Sequence, residues 1–320
     1  MKPFRFGLVA FSDPWYSPTQ GNWRLAVKHI EELGFSTIFI PDHFRPQWEP
    51  VATMAAVAAV TEKLNVGTSV FDVDYRHPIV LAQASATIHL LSNGRHEFGI
   101  GAGWLKSEYE KAGIPFDPAW KRIQRLEEAV KIIKSLWTNE ITSFEGKHYI
   151  IKDLHRISPP LKDRPRLLIG GGGKAMMRLA GRHADIVNIS ASVPKGFYDR
   201  DVVRSSSSSK LREKLEWIHD SAARVGRNCD ELEISLWSPR IKITDDPDAL
   251  YKPIAERYDI SIEDVRDWTY LLYGSGQDIR EKLKRLNEDY CINYILVAGR
   301  SIYEIERFAK EVIRPLLKIK

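Results

Sequence analysis

The sequence predicts an α/β protein folded as a (β/α)8 TIM barrel. Strand-like and helix-like segments alternate along the whole chain. Eight strand-like segments are separated by helices, which implies parallel pairing, because parallel neighbours need a crossover between them. The 320 residues fit a single barrel with insertions, which takes ~250 residues or more. An open, doubly wound sheet is the alternative; length and strand count favour the closed barrel. One domain is expected over 1–320, with insertions at about 190–210 and 239–276.

The first strand is the apolar run Phe6–Phe11, closed by Ser12-Asp13-Pro14. Trp23–Leu33 is apolar at helical spacing and stops at Gly34. Ser36–Ile40 is a strand ending at Pro41, followed by helix Val51–Thr61, strand Leu64–Val70 and helix Pro78–Leu91, with proline in its first turn. Arg95–Ile100 is the fourth strand and Pro118–Trp137 a long amphipathic helix. A hairpin over Ile141–Ile150 turns at Glu145-Gly146. The alternation resumes with strand Arg166–Ile169, helix Lys174–His183, strand Asp185–Ile189, helix Lys210–Val225 and strand Glu231–Trp237. Helix Ile279–Tyr290, strand Ile292–Val297 and helix Ile302–Leu317 complete it. Two stretches exceed a minimal barrel. Ser190–Lys210 carries the serine run Ser205–Ser209 and reads as a mobile surface loop; Pro239–Gly276 is polar and helix-prone. Both follow strands, on the catalytic face, and are expected to act as lids.

Composition narrows the function. Hydrophobic residues make up 43% and charged residues 28%, enough for a large core under a polar surface. The net charge of +5 suits an anionic ligand such as a phosphate-bearing cofactor; acidic and basic residues are interspersed, which argues against nucleic acid. Cys229 and Cys291 stand alone, outside any CxxC pair, so neither disulfides nor a zinc ribbon organise the fold, and a reducing cytoplasm is the expected compartment. Met1-Lys2-Pro3 leads directly into a strand and reads as no signal peptide. The apolar run Val51–Val60 falls short of the ~20 residues that span a bilayer.

Chemistry is expected where strands end. Strand two ends in Pro41-Asp42-His43, placing an imidazole of near-neutral pKa at the barrel mouth; the same residues also suit a helix-capping turn. Gly67 within strand three signals a bulge or a close backbone approach. Gly99-Ile100-Gly101-Ala102-Gly103 is not the GxGxxG dinucleotide fingerprint, which disfavours a nicotinamide site. Its alternate glycines clear one face, either for a flat ring or for large residues opposite. Gly170-Gly171-Gly172-Gly173-Lys174 opens a helix without the spacing of a P-loop, and Ala175 stands where a magnesium-binding hydroxyl belongs. What remains is a helix N-terminus with unhindered N–H groups, suited to a phosphate. Neither an HExxH metal motif nor a GxSxG elbow is present, so no metal is expected.

An ordered set of short motifs, taken together, resembles the bacterial luciferase-like flavin and deazaflavin oxidoreductase superfamily. It comprises Leu33-Gly34-Phe35, Pro41-Asp42-His43, Arg76-His77-Pro78, Leu81-Ala82 and Leu91-Ser92-Asn93-Gly94-Arg95. Gly99 to Trp104 with Glu108, Gly113-Ile114-Pro115-Phe116, Arg125-Leu126-Glu127-Glu128, Leu136-Trp137, Ile169-Gly170-Gly171 and Ala184-Asp185 continue it. The resemblance runs from Phe6 to about Leu317. Leu271 to Ser275 and Ile292 to Ile295 are similar to the branch that uses coenzyme F420. By resemblance, Ser69-Val70 is the strand-three bulge that often holds a nonprolyl cis peptide. His43, Ser69, Val70, Ala102, Gly103 and Ser107 would then surround the ring system, with Gly170, Gly171, Gly172, Gly173 and Lys174 on the phosphate. Two departures stand out: His89 replaces the usual aspartate before the Leu-Ser-x-Gly-Arg run, and Trp104 replaces an acidic residue of the F420-dependent sugar-phosphate dehydrogenases. The indole would narrow the pocket and disfavour glucose 6-phosphate, favouring a flatter or more apolar substrate.

The resemblance implies an F420-dependent oxidoreductase that transfers a hydride between the deazaflavin and a small organic substrate, with His43 as general acid/base. The alternatives are an FMN-dependent luciferase-like monooxygenase, served by a separate reductase, and a non-catalytic flavin-binding barrel. A homodimer is expected, paired through the second and third helices. No nucleic-acid or membrane partner is expected.

Overall fold

The computed structural model describes residues 2–10, 23–193, 195–197, 199–299 and 301–319. Eight parallel strands form the barrel: β1 (Arg5–Val9), β2 (Thr37–Ile40), β3 (Asn65–Thr68), β4 (His96–Gly101), β5 (Arg166–Gly171), β6 (Ile186–Ile189), β7 (Glu233–Ser238) and β8 (Ile292–Val297); a ninth, two-residue strand, Phe71–Asp72, continues β3 and pairs with β4. Each pairs with the next, and β8 returns to β1 with Arg5 opposite Tyr294, so the sheet closes. All eight expected strands are present. The turn expected at Ser12-Asp13-Pro14, with Phe11, lies outside the described residues.

Period-2 alternation divides the strand residues between two layers. Inward-facing Val9, Phe39, Leu168, Ile186, Tyr294 and Leu296 fill the barrel, and Val70 and Trp237 pack on them. Outward-facing residues join the apolar stripes of the helices; Leu126, Ala129, Val130, Ile133, Leu136 and Trp137 of helix Ala119–Thr138 are all buried at helical spacing. The N-terminal end of the barrel is sealed by a polar cluster. Arg5 pairs with Glu97 and, at 2.6 Å, with Glu233, while the Tyr294 hydroxyl donates to Glu97 at 2.7 Å. Arg95 also acts at that end, its guanidinium binding the carbonyls of Ala58, Thr61 and Leu64.

Three regions depart from the expectations. The hairpin is longer, pairing Ile141–Glu145 with Ile150–His155. The serine run is not a loose loop. It follows the short helix Arg200–Arg204; Ser206 is buried and donates to the Val202 carbonyl at 2.7 Å, and Ser207 caps helix Ser208–Ala223. A serine that accepts an orphan N–H serves as an N-cap rather than a linker. The stretch after β7 holds helices Asp248–Tyr258 and Ile262–Arg266 between two parallel strands, Arg240–Ile243 and Leu271–Gly274. Among the described residues no helix is long and apolar enough to cross a membrane.

Candidate active site

The C-terminal ends of β2 to β7 surround a cavity of about 460 Å³, within the ~300–1,000 Å³ that small-molecule sites occupy. Its floor is Val70, which follows a cis peptide after Ser69. The glycines of β4 and β5 explain why Val70 sits there. A Cβ on Gly101 would lie 2.7 Å from the Val70 Cγ2, and one on Gly170 3.1 Å from its Cγ1. One on Gly99 would strike the Thr68 carbonyl. Between the two readings of the GxGxG run, the structure places the chain's own Thr68 and Val70 in the cleared space at Gly99 and Gly101. Gly103 has φ +68°, the left-handed region that favours glycine, and a Cβ there would meet Asp72 and Tyr109.

His43, Ser69, Val70, Ala102, Gly103 and Gly170 to Gly173 all line the cavity. Two expected residues do not. Ser107 is exposed on helix Lys106–Ala112, an element the sequence pattern does not mark, and helical geometry turns it away from the wall that Glu108 joins. Lys174 is exposed, its ammonium 5.4 Å from the centre of the Trp217 ring. The glycine loop therefore meets the cavity through backbone. A Cβ on Gly172 would fall 2.4 Å from the Ser190 carbonyl, so close packing imposes that glycine. Gly173 is the N-cap of helix Lys174–His183 and offers no capping side chain, leaving the first N–H groups of that helix without a side-chain acceptor. Of the two insertions, Ser190 to Val193 reach the wall from the first and Pro239 from the second.

The structure adds Glu108 and Arg122, to which the sequence alone assigned no role, and shows the neighbours of His43, Asp42 and Trp104. Glu108 is buried in the wall, its Oε2 2.8 Å from the His43 Nδ1. Burial lowers the His43 pKa, and the carboxylate only partly restores it, so the imidazole is neutral near pH 7. With Nδ1–H donated to Glu108, Nε2 is left as the proton-accepting nitrogen. Asp42 is held from the other side by Arg76, 2.7 Å away, and accepts the Asp72 N–H at 3.1 Å. Trp104 stands edge-on to His43, ring centres 6.1 Å apart. Arg122 enters the wall from the first turn of helix Ala119–Thr138. It is 6% exposed, packs at 3.9 Å over the Phe116 ring, and has no hydrogen-bond partner for Nε or Nη1. Among the described residues no carboxylate pairs with it, and its charge favours an anion in the cavity. His89, one of the departures, is buried in the last turn of its helix with Nδ1 unpartnered. Among the described residues no group of three or more His, Cys, Asp or Glu is placed to hold a metal ion.

A family model described as luciferase-like monooxygenase matches residues 4–266. An F420-dependent glucose-6-phosphate dehydrogenase of Microbacterium testaceum (strain StLB037) is 30% identical over 84% of this chain and 74% of its own. Among solved structures, an F420-dependent secondary alcohol dehydrogenase in complex with an F420-acetone adduct superposes with a TM-score of 0.77 at 18% identity, covering 99% of each chain. A long-chain alkane monooxygenase superposes with a TM-score of 0.76 at 15% identity, covering 99% of this chain and 92% of that one.

Proposed function

The chain belongs to the luciferase-like monooxygenase family, and within it we propose an oxidoreductase that moves a hydride between coenzyme F420 and a small organic substrate. The observation that carries this reading is the cavity itself. A neutral His43 and the floor residue Val70 stand in one wall system with a helix N-terminus that has no side-chain cap. The site fits such a cofactor in two respects: the small residues Ser69, Ala102 and Gly103 line the cavity beside Val70, which suits a flat ring, and the Gly170–Gly173 backbone suits a phosphate. Ser69, Val70, Ala102 and Gly103 would support the ring, with the cationic Arg122 answering negative charge nearby. The deazaflavin, when bound, supplies the hydride-accepting carbon. His43 takes the substrate's proton at Nε2 in the oxidising direction and returns it in the reducing one, while Glu108 stabilises the imidazolium between.

The substrate is flatter or more apolar than a sugar phosphate. Trp104 presents an indole beside His43, and Tyr75 and Trp237 also lie in the wall. The chain pairs as a homodimer in this reading, and Val80, Leu90 and Leu91, exposed on helix Pro78–Leu91, offer apolar surface for it. The free thiols of Cys229 and Cys291 suit a reducing cytoplasm.

Anaerobic fluorescence titration of the apoprotein with coenzyme F420 and, separately, FMN tests the assignment. Micromolar or tighter binding of F420 with weak FMN binding supports it. Preference for FMN transfers the assignment to a monooxygenase using oxygen and a separate reductase, and binding of neither leaves a non-catalytic barrel.

A further inference from the structure

We propose that Asp72 is a second acid of the cavity, a neutral carboxylic acid that gives its proton to a bound molecule while Tyr109 turns its own hydroxyl hydrogen from Asp74 to Asp72. The proposal concerns this chain's own groups and holds whichever ring system the cavity takes.

A proton count leads to it. The hydroxyl of the buried Tyr109 lies 2.7 and 2.8 Å from the two carboxyl oxygens of Asp72, and 2.9 Å from Oδ2 of Asp74. A phenol has one hydrogen, so it serves one carboxylate, and a second hydrogen must reside on a carboxyl group for both contacts to be bonds. Asp74 is paired with Arg125 at 2.6 Å, and the nearby Asp42 with Arg76 at 2.7 Å. Among the described residues no cation pairs with Asp72, whose other donor is the Asp74 N–H at 3.0 Å. The extra hydrogen therefore belongs to Asp72.

The electrostatic surroundings agree. Burial is the main cause that raises the Asp72 pKa to about 7, with Asp74 and Asp42 adding to it, against bonds from the Asp74 N–H and Tyr109. Burial also pushes the Tyr109 phenol far above its ordinary value, so it stays neutral. Among the described residues, the charged groups around the pair are Asp42 and Arg76 from one side, Asp74 and Arg125 from another, and Glu108 on the Tyr109 helix; Tyr75, its ring 5.5 Å from that of Tyr109, is the titratable neutral neighbour. Asp72 is in the cavity wall, and Gly103, also in the wall, packs closely on the pair; a Cβ there would lie 2.4 Å from the Asp72 Oδ2.

Each proton is accounted for. At rest, Asp72 O–H donates to the Tyr109 oxygen and Tyr109 O–H donates to Asp74. When Asp72 protonates an oxygen in the cavity, Tyr109 swings its hydrogen onto the new carboxylate. Nothing is oxidised or reduced, and a proton returning from the cavity resets the pair. His43 and Asp72 are then base and acid of one site, their pKa values driven apart by their surroundings.

Infrared difference spectra of the apoprotein between about pH 6 and about pH 9 test this. The expected result is a carboxylic-acid C=O band that titrates away near neutrality and is missing from Asp72→Asn. Tyr109→Phe should raise its midpoint, because the carboxylate loses a donor. Asp74→Asn should lower it, because a neighbouring negative charge is gone. These opposed shifts decide the matter even if Asp72→Asn fails to fold. Adding coenzyme F420 or FMN to the wild type should move the band. No titrating band, a band retained in Asp72→Asn, a midpoint unmoved in both other variants, or a band insensitive to both cofactors would overturn the proposal.

Discussion

His43 and Glu108, 65 residues apart in sequence, meet through a 2.8 Å contact between Nδ1 and Oε2. One follows β2 and the other rises on the helix after β4, so the parallel pairing of β2, β3 and β4 brings them to the same end of the sheet. The carboxylate also lies 3.4 Å from the Phe44 N–H and 3.5 Å from the Tyr75 hydroxyl, which fixes its own orientation. The imidazole thus has a defined tautomer before any ligand arrives.

Replacing His43 with alanine should cut turnover by roughly 10²–10⁴-fold, the usual share of a positioned acid/base group, with little change in cofactor affinity. Glu108→Gln leaves the ring in place but removes the charge that opposes desolvation. The His43 pKa, already low through burial, should then fall further, so protonation occurs at lower pH. Ring-proton NMR of the apoprotein reads this directly, and an unchanged or higher midpoint would exclude the coupling.

The glycine loop makes a separable prediction. Gly173 has room for a side chain: a Cβ there would lie 3.6 Å from the Ser192 Oγ, its nearest neighbour. Gly173→Asp supplies a cap to helix Lys174–His183 and should leave the unfolding midpoint nearly unchanged. It also places a carboxylate where the phosphate is expected, so affinity for F420 or FMN should fall tenfold or more, about 1.4 kcal/mol. Gly173→Ala is the steric control and should bind almost normally. Equal affinity in all three proteins would move the phosphate elsewhere.

His96 carries a stability prediction. It is fully buried, with Nδ1 3.0 Å from the Val66 carbonyl and Nε2 unpartnered, and burial lowers its pKa from 6.5 to about 4. The unfolded chain takes up this proton near 6.5 while the folded chain does not until about 4. Its contribution is therefore complete above 6.5 and lost as pH falls towards 4, by roughly 3 kcal/mol in all. In urea unfolding, the stability gap between wild type and His96→Gln should narrow by that amount from neutral pH to about pH 4. A gap that is flat with pH would contradict the assignment.

Trp104 bears on substrate choice. With F420 present, glucose 6-phosphate should produce no decline in the absorbance of the oxidised coenzyme, whereas flatter or more apolar alcohols are the candidates to screen. Reduction driven by the sugar phosphate at a rate matching the best alcohol would overturn the reading of the indole beside His43.

The barrel was legible in the sequence because helix and strand periods alternate cleanly, and because prolines and glycines mark the joints. Helices Pro78–Leu91 and Lys174–His183 and strand Ile292–Val297 fall at the expected bounds. The strands Arg240–Ile243 and Leu271–Gly274 were not legible, since each is four residues long and pairs across two intervening helices. Among site residues, His43 and the glycine loop announce themselves by following strands. Glu108, Arg122 and Asp72 do not, since a charged residue on a helix or in a two-residue strand reads as solvated until the fold buries it. The alternation Asp72-Val73-Asp74 directly after strand three was the available signal: two carboxylates at the C-terminal end of a barrel strand.

The pairing of β1 with β8 joins the first strand of the chain to the last. During synthesis, the ribosome releases β1 long before β8 exists, so β1 waits with one edge unsatisfied while the intervening units form. Closure consequently waits until β8 has been made, and the incomplete sheet is a surface on which chaperones or neighbouring nascent chains compete with β8.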